Sequence, residues 1–246
     1  MKKIISVICV LCLTLSLFIP LAYADDSGDV IVFDRSTSVC KYIQETWPKG
    51  EIRIGQAVLE NGGESRDIYL VTVRGIDWHE NSPNGLGAYF CLLGNNSCEY
   101  YEIVKKNINK YVPEGAAIVA AGHSLGGMVI QRLICDEELT AKYEFISSLT
   151  FGSPYVVTSK KLREGDLVRL EDKSDIVPKF SLAMITSPAD YRGGTKRDGG
   201  YSGNLLDAHN VSYQRSGVWS GFDALGVEGG SAVITLPVDT LLTINI

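Results

Sequence analysis

Histidine is scarce in this chain: three in 246 residues, at positions 79, 123 and 209. No Cys-x-x-Cys pair occurs after residue 24. A structural zinc site is therefore disfavoured, because such sites gather thiolates and imidazoles at close spacing. Concentrated positive charge is lacking too: 23 lysines and arginines are scattered among 29 acids, for a formal net charge of −6. Phosphate backbones need clustered Lys and Arg, so nucleic acid is not an expected partner. No internal repeat or low-complexity tract is present. Beyond the first residues, no stretch is long and apolar enough to span a bilayer.

The one long apolar run stands at the start. Met1-Lys2-Lys3 is a positive n-region, Ile4 to Leu21 is almost wholly apolar, and Ala22-Tyr23-Ala24 is a small-x-small cleavage site followed by Asp25-Asp26. This pattern predicts a signal peptide over residues 1–24, removed after Ala24. Pro20 and the cleavage site argue against a retained anchor. Cys9 and Cys12 lack the small preceding residue of a lipoprotein site. The expected location is extracellular, with the periplasm as the alternative. Residues 25–246 suffice for one domain with a sizeable core. They retain Cys40, Cys91, Cys98 and Cys135, an even number that suggests disulfides in an exported chain. Cys91 and Cys98 flank the turn Gly94-Asn95-Asn96-Ser97, so a local bridge between them is expected, against four unpaired thiols.

Strands and helices alternate along the rest. Val30–Phe33 is a short apolar run, with a strand or a helix possible there, and Ile52 to Leu59 alternates. Asn61-Gly62-Gly63 is a turn signal, and Ile68–Val73 reads as a second strand, giving a hairpin. Helical spacing covers Glu99 to Tyr111, with Tyr100, Ile103, Val104, Ile108 and Tyr111 near one face. Ala117–Ala121 is continuously apolar, as in a strand buried on both faces. Leu125–Leu133 returns to helical spacing; Phe145–Phe151 and Leu167–Leu170 read as strands. Residues 181–204 look irregular, and the apolar tail from Ala232 to Ile246 reads as a terminal strand or hairpin. The alternation predicts an α/β fold with a mostly parallel central sheet flanked by helices.

Gly122-His123-Ser124-Leu125-Gly126 is a Gly-x-Ser-x-Gly sequence between a buried strand and a helix. In that setting the chain reverses sharply and exposes a strained serine, and side chains at either glycine would collide across the turn. The new helix directs free N–H groups at the reacting oxygen. A serine nucleophile needs a base, and the base an orienting acid. In this strand–serine–helix class the order is Ser, then Asp or Glu, then His. His79 precedes Ser124, and His123 sits inside the turn with its side chain directed away from the hydroxyl. His209 remains. The acid must lie between Ser124 and His209, close to a strand end. Asp175, after Leu167–Leu170, is preferred over Asp172 and Glu171; Asp207 is too near His209.

These residues resemble a known family. Gly122-His123-Ser124-Leu125-Gly126-Gly127, Phe151-Gly152-Ser153-Pro154, Asp175-Ile176-Val177-Pro178 and Val73-Arg74-Gly75 look like the class 3 lipases, which include fungal triacylglycerol lipases. The resemblance spans roughly Ile68 to His209. It implies an α/β-hydrolase fold, ester hydrolysis through an acyl-enzyme on Ser124, Asp175 as acid, His209 as base and no cofactor. It also implies oxyanion N–H donors at Ile76 and Leu125. One departure stands out: the family often places Ser or Thr after Arg-Gly, whose hydroxyl also donates, whereas Ile76 has none. The expected partner is a lipid or other ester, met at a lipid–water interface, and a monomer is expected. Phospholipase, polysaccharide esterase and non-catalytic binding protein are the alternatives. The long connection 77–98 carries Trp78, Leu86, Tyr89, Phe90, Leu92 and Leu93, which would form either a mobile lid or static core packing.

Overall fold

The computed structural model describes residues 30–45, 52–76, 82–94, 96–156, 165–181 and 193–246. The expected signal peptide, Trp78 and His79 lie outside them. Among the described residues nine strands form one sheet: β1 (Val30–Phe33), β2 (Ile52–Asn61), β3 (Glu64–Val73), β4 (Ala117–His123), β5 (Glu144–Phe151), β6 (Asp166–Asp172), β7 (Thr195–Arg197), β8 (Val233–Pro237) and β9 (Leu242–Ile244). Their order is β1-β8-β2-β3-β4-β5-β6-β7, with β9 on β2.

The expected mostly parallel sheet is corrected to a mixed one. β3 to β7 run parallel, but β1, β2, β8 and β9 pair antiparallel. The tight turn imposes the first reversal: Asn61 faces Glu64, and Gly62 and Gly63 take φ of 61° and 86°, the left-handed pair that a two-residue hairpin needs. The second reversal comes from the tail. β8 and β9 do not pair with each other; both lie antiparallel on the edge of β2 that β3 leaves free. Nothing in the tail's own pattern names its partner, since hydrophobic alternation fixes a face and not a neighbour.

The helices are α1 (Ser36–Gln44), α2 (Leu86–Leu93), α3 (Glu99–Tyr111), α4 (Leu125–Leu133), α5 (Glu137–Lys142), α6 (Leu205–Asn210) and α7 (Ser216–Trp219). They cover both sheet faces, and strand periodicity sorts the core accordingly. In β4, Ile118 and Ala120 pack with α2, α3 and α4, whereas Ala117, Val119 and Ala121 pack with α1 and Trp219. A register shift between Ile118 and Val119 inserts one residue of β5, so Phe145 joins the first face while Leu149 and Phe151 join the second.

One further expectation changes. No disulfide joins the described cysteines, and Cys91 and Cys98 are free thiols. Cys40 is buried inside α1, where it packs as a small apolar group. Within the described part of the connection 77–98, α2 forms over Leu86–Leu93. Ala88, Tyr89 and Leu92 are buried against the core, while Phe90 is exposed.

Candidate active site

The parallel half of the sheet brings four strand ends to one edge. Val73 is in register with Gly122, His123 with Phe151, and Phe151 with Leu170. The segments that follow, at 74–76, 124, 152–153 and 173–175, therefore emerge together, where open α/β sheets hold ligands.

Ser124 is the only non-glycine residue with positive φ among the described residues, at φ 55° and ψ −121°. Such a conformation is costly and persists only where its surroundings enforce it. Its N–H donates to the Phe151 carbonyl at 2.9 Å, which ties the turn to β5. A Cβ at Gly122 would lie 2.5 Å from the Gly126 carbonyl carbon, and one at Gly126 would overlap the Val73 and Arg74 carbonyl oxygens. The glycines are thus required by backbone-to-backbone contact.

His209 lies in the last turn of α6 and joins two of the predicted residues. Its Nδ1 is 2.9 Å from Asp175 Oδ2 and its Nε2 is 3.0 Å from Ser124 Oγ. Asp175 is buried. Burial alone would raise its carboxyl, but the neighbouring His209 and the hydrogen bonds it accepts hold it below the usual carboxylate range. Val177 N–H donates to Oδ1 at 2.9 Å, and the Tyr213 hydroxyl donates to Oδ2 at 2.8 Å. An ionised Asp175 can only accept, so Nδ1 of His209 carries the proton and Nε2 is left to accept from the Ser124 hydroxyl.

The rival acids are engaged elsewhere. Asp172 Oδ2 accepts from Gly199 N–H at 2.8 Å and from the Ser212 hydroxyl, and Oδ1 accepts from Ser174 N–H at 2.7 Å. Glu171 pairs with buried Arg169 at 2.8 Å and accepts from Gly194 N–H at 3.0 Å. Asp207 bonds Asn204 at the start of α6.

Leu125 opens α4, so its N–H belongs to the first turn, where no in-helix acceptor exists. Ile76 follows β3, whose end is pinned twice. The Tyr100 hydroxyl donates to the Arg74 carbonyl at 2.9 Å, and Asn84 Nδ2 donates to the Gly75 carbonyl at 3.3 Å. In a trans peptide the N–H opposes the C=O, so the Ile76 N–H points away from Asn84.

Sequence reasoning missed several residues of this assembly. Tyr213 holds the acid, and its oxygen also accepts from Asp172 N–H at 2.9 Å. Its spacing from His209 is one helical turn, a signal too common to be read alone. Tyr100 is legible in the sequence only as a position on the apolar face of α3, and Asn84 carries no signal of its own. His123 does not touch Ser124 Oγ through any described bond; its Nε2 lies 2.9 Å from the His209 carbonyl. A cleft of about 390 Å³ opens beside the first half of β6, lined by Leu167, Arg169, Thr195, Phe222 and Val227 among others, and includes none of Ser124, Asp175 and His209.

No family model and no curated protein matches the chain. Among solved structures, the Lip2 lipase of Yarrowia lipolytica is similar at 14% identity, with a TM-score of 0.27. The match covers 53% of this chain and 57% of that lipase, a little over half of each.

Proposed function

We propose that the chain is a secreted serine ester hydrolase with an α/β-hydrolase arrangement. The observation that carries this reading is the pair of contacts at His209, one to Ser124 Oγ and one to Asp175 Oδ2. In the proposed reaction Ser124 Oγ attacks the ester carbonyl while His209 Nε2 takes its proton. Asp175 stabilises the imidazolium and keeps the ring in the correct tautomer. The N–H groups of Leu125 and Ile76 hold the oxyanion. His209 then returns the proton to the departing alcohol, and water, deprotonated by the same ring, releases the acid from Ser124. No metal or cofactor takes part in these steps.

The substrate class we propose is the acylglycerols, on the resemblance of the motifs at 122–127, 151–154 and 175–178 to the class 3 lipases. Residues 1–24 are proposed as a cleaved signal peptide and 25–246 as one domain. The direct test is Ser124→Ala. Hydrolysis of a soluble p-nitrophenyl ester is expected to fall by about 10⁴ or more, with the circular dichroism spectrum unchanged. A fluorophosphonate probe is expected to label the wild type and not the variant. Turnover by Ser124→Ala at the wild-type rate rules the mechanism out.

A further inference from the structure

His123 is the last residue of β4, and its ring leaves the sheet on the face that also carries Val119, Ala121 and Tyr213. There it meets His209 from below. The ring centroids are 4.7 Å apart, and Nε2 of His123 stands 2.9 Å from the His209 backbone oxygen. A carbonyl only accepts, so Nε2 of His123 carries hydrogen and Nδ1 is bare. The ring stays neutral, since burial and the nearby His209 push it down to about 3. Its other side lies against the end of β3: a Cβ at Gly75 would sit 3.4 Å from His123 Nδ1 and 3.1 Å from Ser124 Cβ.

One ring therefore spans the gap between the segment bearing Ile76 and the helix bearing His209. The anchoring matters because α6 has six residues, and a helix that short holds little fixed geometry of its own. The His209 carbonyl falls in the last turn, where carbonyls lack an in-helix donor.

We propose that His123 is a positioning residue: its Nε2–H holds the His209 carbonyl and thereby sets the approach of the His209 imidazole to Ser124 Oγ. This rests on the reading of Ser124, His209 and Asp175 as the hydrolytic set. A ring that touches neither the ester nor the reacting oxygen changes how often the base is aligned and leaves substrate affinity alone. The expected signature is thus a loss in kcat without a matching change in KM.

The experiment compares three variants, each normalised for functional sites by fluorophosphonate titration. His123→Gln keeps an amide donor at nearly the same reach. His123→Asn carries the same amide one bond short. His123→Phe keeps a ring without a donor. For a soluble short-chain ester, Phe and Asn are expected to lower kcat about tenfold to a hundredfold with KM nearly unchanged, and Gln to recover most of the loss. If His123→Phe does not fold, the Asn and Gln pair decides. Normalised kcat close to wild type in the Asn or Phe variant overturns the proposal. So does a His123→Gln no better than His123→Asn, which would mark a role in packing alone. A wild type that neither hydrolyses esters nor takes up the probe overturns the assignment of Ser124 itself, and this proposal with it.

Discussion

At the residue scale, the site separates two aspartates that the sequence sets three positions apart. Asp175 and Asp172 are both buried near the end of β6, and the carboxylate of each accepts three described hydrogen bonds. Their partners differ in kind. Asp175 faces the histidine that faces Ser124, whereas Asp172 holds the Ser174 N–H just before Asp175, together with the Gly199 N–H and the Ser212 hydroxyl, which lie on either side of His209 in the chain. Asp175→Asn is expected to cost about 10⁴ in kcat, because an amide does not hold the tautomer that leaves Nε2 free. Asp172→Asn is expected to act on stability instead, by about 1–3 kcal/mol, since an NH₂ group would confront buried donors. Steady-state kinetics alongside urea unfolding separates the two; the reverse pattern would mean the wrong carboxylate has been assigned. Part of this was legible. Elimination among three histidines pointed to His209 and strand spacing pointed to Asp175, but which side chains brace them depends on chain segments meeting across the sheet edge.

At the element scale, the turn from β4 to α4 shows why local pattern reads well where backbone crowding is the cause. Gly122 and Gly126 meet backbone atoms, which cannot move aside. Gly126→Ala is expected to part α4 from the end of β3 at a cost of about 1–3 kcal/mol or more, and to lower soluble yield. Gly87 in α2 meets nothing within 4 Å. Gly87→Ala is expected to stabilise the protein by about 0.5–1 kcal/mol, because alanine loses less freedom in a helix. Thermal unfolding of the two variants reads both signs at once. The elements built from periodicity followed the sequence: α3 covers Glu99–Tyr111 as the apolar spacing requires, although Tyr101 is buried where Tyr111 was expected and Tyr111 is exposed. β7 and α5 went unread because three and six residues carry too little pattern to stand out. The tail's pattern reads as a strand or hairpin but does not place β8 and β9 side by side on one edge of β2, since pairing partners are a long-range outcome.

For the whole molecule, the proposed lipase reaction depends on how the surface near the strand ends meets lipid. Leu92 and Tyr89 are taken up by the core, which removes them from any moving surface; Phe90 on α2 stays exposed. The rate on a short-chain ester is therefore expected to rise abruptly once the ester exceeds its solubility, and Phe90→Asp is expected to blunt that rise while leaving the rate on dissolved ester unchanged. A smooth saturation curve through the solubility limit in both proteins would favour an esterase of soluble substrates. No described helix is long and apolar enough to cross a membrane.

The placement of β8 also has a consequence in time. Among the described strands β1 pairs only with β8, and their partnered residues stand about 200 positions apart in the chain. A ribosome that has made every residue up to Ser231 has made a molecule whose first strand has nothing to join and whose β2 has one bare edge. The sheet can close only once β8 and β9 have been made, so its completion waits on residues about 200 positions after β1. Until β8 has emerged, whatever meets the growing chain meets an open sheet with two unpaired strand edges.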